Sequence, residues 1–481
     1  MAMPIISLTN FVDGICASRL LDAAQRDEVR RLKKSAKDAR ELAHELLRRD
    51  WLTTYQINQI FRGQGAGLTL GPFILLNRIG EGGMGQIYKA KQKLLQRIVA
   101  LKVIRKECLD NPKVILRFQR EIRAAGQLSH PHVVRALDAD QINGTWYFAM
   151  EYIDGRDLAQ LVKEKGPLPV AQACEYIRQA ALGLQHAFER GLVHRDIKPA
   201  NLLVTKAVSS ARHRVRGRVP PQPRDRNAKQ SSGALSRVEG QHYPWGMVKI
   251  LDMGLARRAG PITGPFTLNL TMIGSVIGTP DFIAPEQARD SHSSDIRADL
   301  YSLGCTLYFL LAGQPPFPHG MPTDKLLQHQ FNQPQSVVAA RRDRLLKLKK
   351  AQNSSPGTLD IDSRIPPAVV RLLQRMMAKK PVDRHQTPLE LANELQVILK
   401  KMSNGTLPMD EAADDSTVEL PVLTDADAAG APTKVAVVKV AKRPMRRQER
   451  ARVVPLVLAS LGACVALLIG SMIAVILSRG G

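Results

Sequence analysis

Residues 194–201 read HRDIKPAN, and this octet carries the strongest chemical signal in the chain. Working outward from it, DMG follows at 252–254 and APE at 284–286, while VALK at 99–102 and GEGGMGQIY at 80–88 come before it. No single motif would suffice: with Gly at about 7% of residues, a chance G-x-G-x-x-G is expected roughly once in six chains of this length. Chance does not supply the order, the spacing, and the strand or helix setting of all five. Gly80, Gly82 and Gly85 sit between two strand-like runs, FILLNRI and QIYKAK. A Cβ there would hold the backbone away from phosphates, whose oxygens the N–H groups must approach. Because a strand follows the glycines, a dinucleotide-binding fold, which would put a helix there, is disfavoured. Together the motifs describe a phosphoryl-transfer site.

Residues 72–400 carry all five motifs and resemble a protein kinase, in particular the eukaryotic-like (Hanks-type) membrane-anchored Ser/Thr kinases of bacteria. The resemblance implies an α+β, bilobal fold, with a β-rich small lobe over 72–153 and a mostly helical large lobe over 154–400. It implies ATP and Mg²⁺ as cofactors, with Mn²⁺ as a substitute, and protein Ser/Thr hydroxyls as acceptors. Around the nucleotide it places Ile79, Gly80, Gly82, Gly85, Ile87, Ala100 and Lys102, with Lys102 pairing the phosphates. Glu121 is the acid expected to orient Lys102, because no other acid lies between Asp110 and Asp138. The hinge segment FAMEYIDGRDL (148–158) puts Met150 at the gatekeeper, the backbone of Glu151 and Ile153 against the adenine, and Asp157 near the ribose.

In the same resemblance Asp196 accepts or orients the substrate proton, Lys198 offsets charge on the γ-phosphoryl, and Asn201 and Asp252 hold Mg²⁺. Met253 stands where the family usually has Phe, a departure that bears on packing and not on metal binding. The Lys two residues after Asp196 is the Ser/Thr-kinase arrangement. Thr279 is expected to bridge Asp196 and Lys198, Glu286 to pair with Arg384, and Asp299 to brace the catalytic loop. Thr271, helped by Thr267 or Ser275, is the expected phosphosite, its charge to be met by Arg195. A scaffold pseudokinase is the rival class, but such proteins usually lose one of the Lys, catalytic Asp or metal Asp. Lys102, Asp196, Asn201 and Asp252 are all present, so an active enzyme is expected.

The chain of 481 residues is too long for one core and has a net charge of +25, with 69 Lys+Arg against 44 Asp+Glu. Basic tracts at 206–246, 341–350 and 439–452 carry much of the excess. Isolated tracts of this kind are usually solvated loops, and with few interleaved aromatics beyond Tyr243 and Trp245 nucleic acid is not expected as a partner. Composition marks 206–246 as an insert that buries little, and 337–362 as a second insert that begins as a basic helix-like run. The five scattered cysteines make no C-x-x-C pair and read as reduced structural residues.

At the N-terminus no signal peptide is expected, and residues 7–63 read as a small helical module for packing or docking. Leu42, Leu46 and Leu47, then Ile57, Ile60 and Phe61, fall at helical spacing there. Residues 403–452 form a linker, acidic and then basic, before a 26-residue uncharged stretch at 453–478. That stretch is long enough to span a bilayer, and the basic cluster before it keeps the catalytic region cytoplasmic. The expected protein is single-pass in the cell membrane, without an external sensor of its own. Gly462, Ala466, Gly470 and Ala474 recur every four residues, which favours a homodimer through close helix packing.

Overall fold

The computed structural model describes residues 6–81, 85–105, 108, 111–205, 243–251, 257–258, 280–289, 294–351 and 364–407. The expected membrane span 453–478, its linker beyond 407, and the body of the first insert lie outside the described residues. Among the described residues no helix is long and apolar enough to cross a membrane.

The N-terminal module consists of α1 (Leu8–Ser18), α2 (Ala23–Ser35), α3 (Ala39–Arg48) and α4 (Thr54–Phe61). Reciprocal capping boxes at Asp22/Gln25 and Thr53/Gln56 start α2 and α4 by satisfying backbone donors that have no helical partner. The apolar positions at helical spacing converge on one small core of Phe11, Ile15, Leu42, Leu46, Ile57, Ile60 and Phe61. Phe11 stacks on Phe61 with ring centroids 4.6 Å apart.

This module is bonded to the sheet that follows it, which comprises β1 (Thr69–Leu70), β2 (Phe73–Glu81), β3 (Gly85–Gln92), β4 (Arg97–Ile104), and, after α5 (Pro112–Gly126), β5 (Ala136–Ile142) and β6 (Thr145–Glu151). The sheet order is β1-β2-β3-β4-β6-β5, antiparallel throughout. The Thr53 hydroxyl donates to Leu76 O at 2.6 Å and the buried Gln56 amide to Leu75 O at 2.9 Å. Both carbonyls lie where β2 slips register against β3, between Leu75 and Asn77. A register slip leaves ladder groups unpaired, and the module's side chains take them up.

Alternation along β4 sorts the small lobe into two cores. Val99 and Leu101 join Phe73 and Tyr147 on the face that Tyr55 of α4 packs against. Ala100 and Ile104 face the other way, with Phe118 of α5, Phe148 and Met150. Lys102 has the parity of this second face and therefore points toward α5.

The large lobe comprises β7 (Gly155–Asp157), α6 (Leu158–Lys165), α7 (Val170–Phe188), β8 (Leu192–Val193), β9 (Leu202–Thr205), β10 (Val248–Ile250), β11 (Arg257–Arg258) and α8 (Pro285–Arg289). Then come α9 (Ile296–Ala312), α10 (Pro322–Phe331), α11 (Val337–Ala351), α12 (Pro367–Met376) and α13 (Pro388–Ser403). Helix α9 is buried along nearly its whole length and forms the centre of the lobe's core. It stops at Gly313, whose φ of 73° closes the last turn at no Cβ cost.

The second basic tract is not a solvated loop. It lies on α11, which seats Val337, Ala340 and Leu345 in the large-lobe core. Arg341 is 1% exposed and donates to Leu168 O at 2.9 Å and Leu311 O at 2.8 Å. Leu311 is in the last turn of α9, whose carbonyls have no helical donor, so a cation there meets both a hydrogen-bond need and the negative helix end. The basic run thus mixes a buried anchor with exposed neighbours such as Arg342. Where the first insert returns, Tyr243 lays its ring edge-on to His132 at 5.7 Å, and Trp245 O accepts from the Tyr176 hydroxyl at 2.8 Å. Tyr243 therefore joins the lobe's packing through its ring, whereas Trp245 does so through its backbone carbonyl and leaves its side chain 37% exposed.

Candidate active site

Strand β4 delivers Lys102 and helix α5 delivers Glu121, and the ammonium lies 2.5 Å from Glu121 Oε1. The carboxylate is 1% exposed and the Lys side chain 13% exposed, so the pair sits in low dielectric, where opposite charges hold each other strongly. Across the ladder Lys102 is paired with Ile87 on one side and Phe148 on the other, and Ala100 with Met150. Ile87 and Ala100 therefore lie on adjoining strands beside Lys102, and Ile79 is 46% exposed.

The glycines divide by role. Gly80 is paired with Ile87, and a Cβ on it would make only ordinary contact with that side chain, which leaves its requirement to the ligand side. Gly85 differs: a Cβ would fall 2.3 Å from Val103 O. Its absence of a side chain is demanded by the approach of β3 to β4, a structural reason beside the phosphate-clearance reason expected for it. Gly82 lies outside the described residues.

At the lobe junction, Met150 is buried at 6% exposure. The Glu151 N–H donates to Arg135 O at 3.0 Å. The Glu151 carboxylate accepts from Lys249 Nζ at 2.6 Å and from the Arg135 N–H at 2.9 Å. Lys249, only 8% exposed, ties the strand entering the hinge to β10. Sequence reading missed it, because nothing local marks one Lys in a strand as the partner of an acid 98 residues away. Ile153 packs at the edge of the α5-side core. Asp157 caps α6, its Oδ1 accepting from the Gln160 N–H at 2.8 Å.

The octet forms a loop between β8 and β9. Lys198 Nζ contacts Asp196 Oδ2 at 2.8 Å and Oδ1 at 3.1 Å. Asn201 Nδ2 donates to Asp196 O at 2.8 Å and to its Oδ2 at 3.0 Å. Two side chains thus converge on one carboxylate that remains partly exposed. With Nδ2 committed to Asp196, the amide oxygen of Asn201 is the atom of that side chain that can serve as a hard ligand. Leu251, immediately before Asp252 in sequence, donates its N–H to Asn201 O at 2.9 Å. Asp252, Met253, Thr279 and the candidate phosphosites Thr267, Thr271 and Ser275 lie outside the described residues.

The loop is held from beneath. Arg195 has φ of 66°, a left-handed conformation costly for a side chain with a Cβ. Asp299 of α9 offsets that cost, its two oxygens accepting the His194 and Arg195 N–H groups at 2.7 Å each. Asp299 is fully buried, and burial raises its pKa against the opposing pull of these donors. His194 is also buried, its Nε2 within 2.8 Å of Leu251 O and its Nδ1 accepting from the Asp196 N–H at 3.2 Å. From α8, the Gln287 amide donates to Arg195 O at 2.8 Å, and the Arg195 guanidinium reaches Ser294 O at 3.1 Å.

Glu286 and Arg384 meet in bidentate contact at 2.7 and 2.9 Å. The same guanidinium donates to Ala378 O, Lys379 O and Arg297 O and stacks 4.8 Å over Tyr301. A cation buried to 1% exposure is tolerable only with its donors matched in this way. The pair fastens the segment after APE to the helical core, away from the Asp196 carboxylate.

The donor set fits a nucleotide with Mg²⁺. An amide oxygen at Asn201, and by sequence a carboxylate at Asp252, are hard oxygen ligands, and a small protein set suits a cation that shares its shell with phosphates. Lys102 supplies the positive charge that phosphate oxygens need.

Residues 73–395 match the family described as the protein kinase domain. The chain is 32% identical over 346 residues to the serine/threonine-protein kinase pkn3 of Myxococcus xanthus, covering 72% of this chain and 53% of that protein. It is 31% identical over 354 residues to the serine/threonine-protein kinase PknB of Mycobacterium leprae, covering 73% and 44%. A probable serine/threonine-protein kinase of Clostridium perfringens, CPE1738, is 31% identical over 341 residues, covering 71% and 40%. The chain thus spans about half or less of the length of these curated relatives. Among solved structures, the PknI kinase domain of Mycobacterium tuberculosis aligns with a TM-score of 0.44 at 23% identity, over 69% of this chain and 97% of that one.

Proposed function

Because the chain belongs to the protein kinase family, we propose that it transfers the γ-phosphoryl of ATP to Ser and Thr hydroxyls of proteins, itself included. The observation that carries this reading is the convergence of Lys198 and Asn201 on Asp196, alongside an intact Lys102–Glu121 pair. A scaffold that had lost catalysis would be free of any need to keep these contacts.

Phosphoryl transfer demands positioning and charge compensation more than covalent chemistry. Asp196 accepts a hydrogen bond from the substrate hydroxyl, orients its lone pair for in-line attack and receives the proton. Lys198, already beside that carboxylate, offsets charge growing on the equatorial oxygens. Lys102, aimed by Glu121, holds the α- and β-phosphates in register. Mg²⁺, when bound by Asn201 and Asp252, neutralises charge shared between the phosphates. Asp299 acts one step removed, by keeping Arg195 in the backbone conformation that presents Asp196. Ser/Thr acceptors are favoured by Lys198, two residues after Asp196, in line with the names of the relatives. The test is incorporation of label from γ-labelled ATP into Ser/Thr of the purified chain and of a general acceptor protein. Asp196→Asn and Lys102→Met should each abolish it while leaving the unfolding midpoint within a few degrees of wild type. Full activity in either variant would overturn the assignment.

The same reading places the protein in the membrane through 453–478, with the Lys/Arg cluster at 439–452 on the cytoplasmic side. Support comes from the length and lack of charge of that stretch. Fractionation and protease protection of the full chain test it: the kinase domain should be membrane-bound and digested only when the cytoplasmic face is exposed. Self-association through Gly462 and Gly470 would bring two catalytic units together for phosphorylation in trans. Replacing both with Leu should weaken association in a membrane dimerisation reporter and lower Thr271 phosphorylation.

A further inference from the structure

Between the N-terminal module and the back of the small lobe lies a cleft of about 740 Å³, remote from the Asp196 loop. It is floored by β2 and β3 and walled by α4 and the 3-10 turn at Gly65–Leu68. That volume is within the range of small-molecule sites, which favour junctions between structural units.

Its lining is chemically one-sided. Arg62 and Arg78 contribute two guanidinium groups, Tyr55 and Tyr88 two phenols, and Gln59 and Gln64 belong to a larger set of side-chain amides; no carboxylate lines it. Arg62 is exposed and, among the described residues, its side chain makes no hydrogen bond or ion pair. Arg78 lies 3.2 Å from Glu81, but Glu81 also pairs with Arg105. One negative charge is thus divided between two cations, and the rim retains net positive charge. Tyr55 and Tyr88 stand 6.2 Å apart between centroids with their planes inclined at 55°, offering aromatic surface beside the cations. Burial, with Tyr55 close by, pushes the Tyr88 phenol up to about 12, so it stays neutral and does not repel an anion, while its hydroxyl donates to Gln86 Oε1.

We propose that this cleft binds a small anion carrying a planar ring, of the aryl phosphate class, with Arg62 and Arg78 on the anionic group and Tyr55 and Tyr88 on the ring. Guanidinium groups suit phosphate because their planar fork matches two oxygens at once. The inference is independent of the transfer reaction, since none of these side chains lies in the Lys102–Asp196 cleft. It also gives the module's docking a consequence. The cleft floor is the part of β2 with register shifts at Leu75/Asn77 and Arg78/Gly80, which runs directly into the glycine turn.

The test is titration calorimetry on the full chain in lipid nanodiscs, with a saturating non-hydrolysable ATP analogue and Mg²⁺ occupying the nucleotide site. Phenyl phosphate is the probe, with inorganic phosphate and benzamide as the anion-only and ring-only arms. The expected result is one saturable phenyl phosphate site per chain, at least about tenfold tighter than either arm. Loss of one charge-assisted contact in Arg62→Ala should weaken it about tenfold or more. Gln64→Glu, which puts a negative charge on the exposed rim, should weaken it similarly. Both positions are solvent-exposed, so the unfolding midpoint should be unchanged. No saturable binding below about 10 mM, a threshold weaker than the few kcal/mol such a site should supply, would overturn the proposal. So would equal affinity in wild type and Arg62→Ala.

Discussion

Replacing Arg341 with Met separates the two readings of the basic tract on α11. A solvated tract predicts a change within about 0.5 kcal/mol, as for most surface substitutions. The structure predicts far more. The guanidinium is 1% exposed and donates to Leu168 O and Leu311 O. Met keeps much of the stem's apolar packing, so the loss is concentrated in the polar contacts. Hydrogen bonds from a charged group contribute about 1.5–3 kcal/mol each, and carbonyls left unpaired in the interior add their own desolvation cost. The end of α9 also loses a favourable cation, worth up to about 2 kcal/mol when partly buried. Burial of the charge itself opposes these gains, so the net expectation is about 3–5 kcal/mol of destabilisation. That is a large share of the 5–15 kcal/mol typical of a folded domain. The assay is urea unfolding followed by tryptophan fluorescence, with Trp245 as the tryptophan that lies in the large lobe. Arg342→Met, at the exposed neighbouring position, is the internal control and should be nearly silent. If the two variants unfold at the same urea concentration, the anchoring role of Arg341 is wrong.

Asp299→Ala should lower kcat by roughly a hundredfold or more with a smaller effect on the KM for ATP, because misplacing Asp196 costs orientation and not nucleotide contacts; an unaltered kcat would refute the brace. Lys102→Ala should impair both nucleotide binding and turnover, and retention of wild-type kcat/KM for ATP would count against its phosphate role. Burial holds His329 down to about 4, against 6.5 for the free side chain, so below the latter pH the unfolded chain takes up a proton that the folded one refuses. That stability is complete above pH 6.5 and is lost as pH falls toward 4; at pH 5.5 the loss is about 1.4 kcal/mol. His130 and His132, likewise held to about 4 by burial, steepen the same slope. His329→Asn should therefore lose about 1.4 kcal/mol less than wild type between pH 7.5 and 5.5 in urea titrations, and identical slopes would refute the burial argument.

The catalytic groups were legible before any tertiary contact because they are carried by short segments whose order is tied to one chemistry. HRDIKPAN names Asp196, Lys198 and Asn201 within eight positions, so their side chains are near one another along the chain, while the backbone that presents them is braced by Asp299. Helical periodicity likewise announced an apolar face on each of two helices, Leu42, Leu46 and Leu47 on one and Ile57, Ile60 and Phe61 on the next, since the 3.6-residue repeat is a property of the backbone; of these Leu47 is only partly buried. Even the reach from Lys102 to Glu121 could be anticipated, because the intervening stretch offered no other acid.

Contacts between distant segments left no such mark. Arg341 and Arg342 are adjacent and chemically identical, and only the packing of α11 on α9 buries one and exposes the other. Gly85 reads in sequence as a phosphate-clearing glycine, and only the position of Val103 O gives it a further reason within the sheet. Lys249 acquires its partner Glu151 only when β10 and β6 come together at the hinge. The docking of Thr53 and Gln56 on the carbonyls of Leu75 and Leu76 depends on where β2 slips register, a feature set by the whole sheet. Residue order specifies which groups a segment offers and their periodicity along it. Which face is covered, which cation is sealed from water and which carbonyl is left needing a donor follow from the close packing of segments far apart in the chain, where desolvation makes each unmatched polar group costly.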